Sequence, residues 1–478
     1  MNSGQTLAEQ LQGYLTLYAQ EIEWLSLFFL INTLVIVFFQ VFPVLLVLFI
    51  PSEERDPEDE WMCLTTELAP AVAILIPAYN EEPVITKTVH ALMALKYPRY
   101  QIIVINDGSK DKTLANLIEE FELHEVHYAS DYRLSHQAIQ GVYCNPVFSN
   151  LIVLDKVNGG KSDAINAGIN YSRTDYFCVM DGDTILEDAS LLKVMMPFVL
   201  DPDNTVAAGG TVCVVNGSTV NHGVVDPVRL PGNILALFQI VEYLRAFMIA
   251  RNGWSRLNML TLISGAFGIF KKEIAIEAGG YPVGSMGEDL ELIMNIHQLM
   301  RRKANTDYKV VAIPEPVCWT EVPETWRIFC NQRMRWQQGA IDSFFNHWRM
   351  FLNPVYGRIG LFALPMTFVV DILGPITEVL GYVVITISYL AGILSPQTWL
   401  AYIALITLFG IFTSLLSLWL EERWNSSYRE VRNYVRLVFM AIIENLGYRQ
   451  ICNLLRIGGW IRFIRKNRVW GEMPRKGF

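Results

Sequence analysis

Apolar residues are distributed unevenly along this chain. Trp24 to Ile50 is an almost unbroken apolar run without a single charged residue. At about 1.5 Å per residue, a helix of that length crosses a bilayer core of about 30 Å. A secretory signal is the rival reading, but the run lacks a basic flank, a small-residue cleavage site and a short apolar segment. Residues 51–70 are charged and contain prolines, which reads as a linker. Short apolar runs then alternate with segments of helical period. Ala71–Ile76, Gln101–Ile105, Leu151–Leu154 and Tyr176–Met180 read as buried strands, and 84–95, 111–122 and 162–171 as helices. Strands that are apolar at every position imply a sheet covered on both faces, so the pattern predicts an α/β domain with a mostly parallel sheet. Residues 124–150 are polar and irregular and read as an insertion.

The second half is less regular. Residues 216–232 form a loop rich in Gly, Pro and Asn. Residues 233–250 are amphipathic, interrupted by Glu242 and Arg245, and suit either an interfacial helix or one docked on the sheet. Tyr356 to Leu394 is too long for one membrane span and carries a Gly374-Pro375 break, which predicts two. Residues 398–420 predict another, and 434–455 a fourth that Arg436, Glu444 and Arg449 interrupt. The tail after Leu455 is strongly basic and is expected to stay cytoplasmic. Four spans after the soluble domain satisfy this, and so do two if 356–372 and 434–455 lie in the interface. The expected organisation is an outer N-terminus (1–23), a span (24–50), a linker (51–70), a soluble domain (71–345), a membrane region of about four helices (356–455) and a basic tail (456–478).

The chain has 478 residues, of which 52% are hydrophobic, with a formal net charge of −9. That charge argues against nucleic acid as the main partner. The seven cysteines form no CxxC pair and no zinc spacing, as expected of reduced core cysteines in a domain facing the cytosol.

Candidate chemistry concentrates at strand ends. Asp181-Gly182-Asp183 directly follows an apolar strand, and in open α/β sheets ligands bind beyond the carboxyl ends of strands. Such a pair can hold Mg²⁺ or Mn²⁺ while diphosphate oxygens complete the shell. Glu81 and Asp107 follow the first two strands and can accept hydrogen bonds from a base or ribose, although Asp107-Gly108-Ser109 is also a plausible helix cap. Gly159-Gly160-Lys161 precedes a helix but lacks the spacing of a Walker loop. Gly287-Glu288-Asp289 opens a helix; Asp289 is a cap or a general base. Arg333 and Arg335 flank Met334. Arg335 suits a diphosphate grip and Trp336 a sugar-stacking surface, while an interfacial Arg/Trp anchor is compatible with both.

In this order, these residues resemble the processive, membrane-integrated family 2 glycosyltransferases: cellulose, hyaluronan, chitin and poly-N-acetylglucosamine synthases. The resemblance runs from about Ala71 to Trp336 and includes the membrane layout. It implies a GT-A domain (Rossmann-like) attached to an α-helical transmembrane region in the inner membrane, with the domain in the cytoplasm. It implies that Glu81, Asp107 and Lys161 bind or lie near the nucleoside, and that Asp181 and Asp183 bind nucleotide and metal. Asp289, with Glu288 beside it, matches the Asp of a Thr-Glu-Asp motif. Gln332, Arg335 and Trp336 match Gln-x-x-Arg-Trp, and Ser264-Gly265-Ala266-Phe267 the loop lining the acceptor site. The implied activity is inverting transfer from a nucleotide-sugar donor to a glycan acceptor, with export across the bilayer; the alternative is transfer of a single sugar to a lipid carrier. Gly287 departs from the motif by replacing its Thr, which is expected to alter the acceptor pocket. A cyclic-dinucleotide receptor domain is not expected, so accessory export or regulatory subunits would supply such control.

Overall fold

The computed structural model describes residues 18–50, 69–182, 184–221, 224–225, 227–303, 307–428 and 430–466. The apolar N-terminal run forms one long helix, α1 (Ala19–Phe49). The soluble domain is built on β1 (Val72–Ala78), β2 (Tyr100–Asn106), β3 (His124–Glu125), β4 (Ile139–Cys144), β5 (Leu151–Lys156), β6 (Tyr176–Met180), β7 (Ile185–Leu186) and β8 (Thr205–Val214). A small ribbon, β9 (Val220–Asn221) and β10 (Val224–Val225), precedes β11 (Phe267–Lys271) and β12 (Lys309–Thr320). Apart from the ribbon, all join one sheet in the order β3-β4-β5-β2-β1-β6-β11-β8-β12-β7. Its centre, β5-β2-β1-β6, is parallel, and β11 runs antiparallel between β6 and β8.

Side chains alternate along a strand, so each fully apolar strand feeds two cores. Val72, Ile74 and Ile76 pack with α2 (Ile85–Met93) and α3 (Thr113–Glu120) on one face. Ala73 and Leu75 pack with α4 (Lys161–Tyr171) on the other. Helix α5 (Ser190–Leu200) completes the first face. The stretch 124–150, read as an insertion, instead supplies β3 and β4, which extend the sheet antiparallel to β5. Its pairing partner lies downstream in sequence, and so local polarity conceals it.

Helix α6 (Ile234–Leu244) continues as a π-helical segment, Arg245–Arg251, and then α7 (Asn252–Ser255). Helix α6 packs on Val214 of the sheet, as the docked reading expects, and also on Leu418, Leu437 and Met440 of the C-terminal helices. A Cβ at Gly253 would lie 2.7 Å from the Pro43 carbonyl oxygen, and the Phe42 and Trp254 rings sit 5.7 Å apart, so this arm is seated directly on α1. Helices α8 (Lys272–Glu277), α9 (Glu288–Arg302) and α10 (Trp326–Asn346) follow.

Of the two counts the sequence allows after the soluble domain, four spans or two, the structure has two helices long and apolar enough among the described residues, though with other boundaries. Residues Ile359–Leu390 make one continuous helix, α11, and α12 covers Pro396–Trp424. With α1, these are the three helices among the described residues long and apolar enough to cross a membrane. Residues 434–455 do not form a span: α13 (Val431–Ile443) and α14 (Tyr448–Ile464) are separate amphipathic helices divided at Gly447. The Gly374-Pro375 pair does not break α11 because the turn before it, Thr367–Leu373, is π-helical. Pro375 has no N–H to offer the carbonyl of Asp371. That carbonyl accepts instead from Gln337 Nε2 of α10 at 2.8 Å and from Arg456 Nη2 of α14 at 2.6 Å. The next carbonyl, Ile372, accepts from Trp460 Nε1 at 2.9 Å.

Arg456 also donates from Nε to Gln337 Oε1 at 2.7 Å, so it ties α10, α11 and α14 together. Arg456→Met keeps the length and removes the charged donors. It is expected to cost about 1.5–3 kcal/mol, the usual worth of hydrogen bonds from a charged group, read as a lower melting temperature in detergent.

Candidate active site

The four parallel strands of the sheet centre end on one side, and their following residues converge there. Glu81 lies three residues beyond β1, Asp107 follows β2, the Gly159-Gly160 loop follows β5, and Asp181 follows β6. Together with α9 and α10 they open into one cavity of about 1870 Å³. Of the residues expected to act, Glu81, Asp107, Lys161, Asp181, Gly265, Ala266, Glu288, Asp289, Gln332, Arg335 and Trp336 line it. Asp183 lies outside the described residues.

Phe267 is a correction. It is fully buried, begins β11 opposite Met180, and packs in the sheet core. It starts the strand inside the core, whereas Ala266, in the turn before it, still lines the cavity.

Asp107 is placed at the cavity, yet its carboxylate is already engaged. Oδ1 accepts from Lys156 Nζ at 2.5 Å and from Gly159 N at 2.9 Å. Oδ2 accepts from Asn158 Nδ2 at 3.1 Å and from Gly160 N at 2.8 Å. The glycine loop therefore points its amides at Asp107, which anchors it. Lys156, fully buried, also pairs with Asp163 at 2.6 Å. Gly159 is required by crowding, since a Cβ there would lie 2.4 Å from Asp163 Oδ1; Gly160 is required by its φ of +90°. Sequence reasoning missed Lys156, although a lysine closing an apolar strand is the signal that would have found it.

The anchored loop delivers Lys161 as the first residue of α4. Its Nζ pairs with Asp181 Oδ1 at 2.8 Å and Glu288 Oε1 at 3.2 Å. Burial pulls the Lys161 pKa down, but the carboxylates of Asp181, Glu288 and Asp289 outweigh burial and hold it above the ordinary lysine value. Asp289 Oδ2 accepts from the Gly265 amide at 3.1 Å, and Oδ1 from the Leu290 amide at 2.9 Å. Burial, then the neighbouring Glu288 charge, push the Asp289 pKa up to about 6 against the pull of Lys161. A carboxylate poised there is ionised at neutral pH and basic enough to take a proton. A Cβ at Gly265 would lie 3.3 Å from Lys161 Nζ and 3.4 Å from Asp289 Oδ2, so the small residue lets the loop close on both.

Gly287, standing where the resembled motif has Thr, has a tertiary reason. Its Cβ would meet the Gly339 backbone at 3.2 Å, and a Cβ at Gly339 would lie 2.8 Å from the Met286 carbonyl oxygen. The start of α9 thus rests directly on the backbone of α10.

Spacings of three and four put Gln332, Arg335 and Trp336 on one face of α10. The Oε1 atom of Gln332 is buried without a hydrogen-bond partner among the described residues, a group suited to a ligand hydroxyl. Burial lowers the Arg335 pKa, and Glu288, Asp181 and Asp289 act in the opposite sense. Trp336 is 42% exposed to the cavity and beyond. Arg333 holds this face in place. Its Nη2 donates to Glu242 Oε2 at 2.9 Å, the Tyr448 hydroxyl donates to the same oxygen at 2.8 Å, and the guanidinium lies 4.5 Å from the centre of the Trp336 ring. Beyond Trp336 the cavity continues between the apolar helices, past Gln40 of α1, Asp371 and Glu378 of α11, and Arg449 and Asn453 of α14.

Two family profiles match this chain: glycosyl transferase family group 2 over residues 176–413, and glycosyl transferase family 2 over residues 73–134. Among curated proteins it is similar to a poly-β-1,6-N-acetyl-D-glucosamine synthase of Staphylococcus epidermidis, 24% identical over 429 residues that cover 87% of each chain. A Staphylococcus aureus (strain COL) protein of the same name is 27% identical over 289 residues, 60% of this chain and 59% of that one. Among solved structures it is similar to a mannosyltransferase of Pyrobaculum calidifontis in complex with GDP-Man and Mn²⁺, at 14% identity and a TM-score of 0.49, covering 92% of this chain and 99% of that one.

The Asp289 environment sets a pH dependence. A base must be ionised to act, so kcat/KM is expected to fall as pH drops through about 6. Glu288→Gln removes a charge that raises the Asp289 pKa and frees Lys161 to lower it further. A pH–rate profile of that variant should show its acid limb displaced to lower pH; displacement upward would contradict this electrostatic account.

Proposed function

This chain is a family 2 glycosyltransferase of membranes, and on that premise we propose that it polymerises N-acetylglucosamine from UDP-N-acetylglucosamine and passes the β-linked glycan through its own helices. The observation that carries the proposal is the continuity of one cavity, from the carboxylate-lined strand ends, past Asp289 and Trp336, to the space between α1, α11 and α14. An enzyme that released each product at the membrane surface would not need that extension. The sugar and linkage are inferred from the staphylococcal synthases that this chain resembles.

In this reading the nucleotide lies against Glu81 and the Asp107-anchored loop, and Lys161 and Arg335 offset the diphosphate charge. The residues at the strand ends also fit a divalent cation. Asp181 presents carboxylate oxygen, and among the described residues no histidine lines the cavity and no three acidic, His or Cys side chains gather as a metal cage. That donor set suits a hard ion such as Mg²⁺ or Mn²⁺, held by Asp181 and Asp183 and shared with the diphosphate. When bound, it stabilises charge on the departing nucleoside diphosphate. Asp289 accepts the proton of the acceptor hydroxyl as that oxygen attacks the anomeric carbon. One direct displacement inverts the configuration there. Trp336 supplies an apolar face for the acceptor ring, and Gln332 Oε1 accepts from one of its hydroxyls. We place the domain in the cytoplasm, because Arg462, Arg465 and Lys466 gather at the end of α14 and just beyond it, on the side expected for basic residues.

The test is purified protein in nanodiscs with Mn²⁺ and a panel of labelled UDP- and GDP-sugars. High-molecular-weight product from UDP-N-acetylglucosamine alone is expected. A lipid-soluble adduct of one sugar would instead establish single transfer to a carrier. Asp289→Asn should lower transfer by about 10²–10⁴-fold, the usual worth of a general base, while UDP binding by calorimetry is retained.

A further inference from the structure

Most cations of the cavity are committed. Lys161 is spent on Asp181 and Glu288, Arg333 on Glu242, and Arg456 on Gln337 and the Asp371 carbonyl. Arg251 differs. It closes the π-helical segment Arg245–Arg251, lines the cavity, and its guanidinium makes no hydrogen bond or ion pair among the described residues. Its Nη1 is buried without a partner. An unpartnered buried donor on a cation is costly, so its retention calls for a reason.

The surroundings supply one. The guanidinium rests on the Phe247 ring, 3.9 Å from its centre, and that ring holds the group flat from below. Two residues on, Gly253 abuts Pro43 of α1, and so the backbone carrying Arg251 is pinned against the membrane helix. Burial pulls its pKa down to about 10, and the strongest opposing influence is the Asp289 carboxylate. The group remains charged at neutral pH. Asp289 is thus near enough to act on Arg251 through space, yet the two form no ion pair. The cavity separates a proton acceptor from a fork of unused donors, and Gly265 and Trp336 line the same space.

We infer that Arg251 is an acceptor-binding residue, its guanidinium donating to ring-substituent oxygens (hydroxyl or amide carbonyl) of the terminal acceptor sugar whose attacking hydroxyl meets Asp289. The inference rests on the glycosyltransferase reading above. A planar fork fits two neighbouring sugar oxygens at once, which a lysine ammonium does less well. Arg251 sits on the π-helical segment and not at the strand ends that carry Glu81, Asp107 and Asp181, so its contact with an acceptor leaves the nucleotide residues untouched.

The experiment is calorimetric binding without donor, using the full protein in nanodiscs and a β-1,6-linked N-acetylglucosamine pentasaccharide as probe, with UDP titrated separately. Loss of a charged hydrogen bond predicts that Arg251→Gln weakens pentasaccharide affinity roughly ten- to a hundredfold while UDP affinity stays within about twofold. Arg251→Lys should recover part of the loss, which also answers a folding defect in the first variant. Pentasaccharide affinity unchanged in both variants, or UDP affinity falling in parallel, would overturn the inference. Because binding is read without turnover, a wild type that binds the pentasaccharide through Arg251 but uses another donor would correct the proposed donor and leave this contact standing.

Discussion

The carbonyl of Asp371 is the point on which the membrane and catalytic parts of this molecule are joined. Pro375 cannot donate to it, and a polar backbone group in an apolar helix cannot be left alone. The helix widens into a π turn, and Gln337 and Arg456 supply the missing donors from two other helices. Gln337 is the residue after Trp336. The cavity-lining face of α10 is therefore registered against the apolar helix through a proline-made vacancy in its hydrogen bonding. The same contact seats α14, which walls the continuation of the cavity. Polar groups among the apolar helices thus serve cohesion and also line the cavity.

A second constraint is charge. Carboxylates and cations alternate around the site: Asp181, Lys161, Glu288 and Asp289 on one side, and Glu242 with Arg333 on the other. Paired groups in a low-dielectric cavity are rigid, which is the condition for holding a base at a useful pKa. Glycines allow the pairs to form. Gly159, Gly265 and Gly287 each admit a neighbour that a side chain would have displaced. The glycine at 287 rests on the Gly339 backbone, where a Cβ would lie 3.2 Å away and crowd the seat of α9 on α10.

Much of this was legible beforehand. The strands of the sheet centre were readable because residues buried on both faces must be apolar at every position. Asp181 and Asp107 were readable because ligands gather where parallel strands end, and Gln332, Arg335 and Trp336 because spacings of three and four share a helix face. The errors have equally physical origins. Residues 124–150 form strands only because β5 offers an edge. Phe267 follows the small residues of the acceptor loop in sequence, but it is where the strand and its core begin. Gly374-Pro375 looked like a break because the donors that repair it come from residues 337 and 456. Residues 434–455 looked like a span until Gly447 divided them.

The sequence by itself determined the α/β domain, the apolar helices and the kinds of groups available for chemistry, since each follows from local period, burial and residue type. The tertiary structure alone decided which of those groups are free. Asp107 is consumed by its own loop, Arg333 is tied to Glu242, and Arg251 on the cavity wall has no ion-pair partner among the described residues. A charge's availability depends on what stands opposite it in space, and its partner is often a hundred or more residues away in the chain.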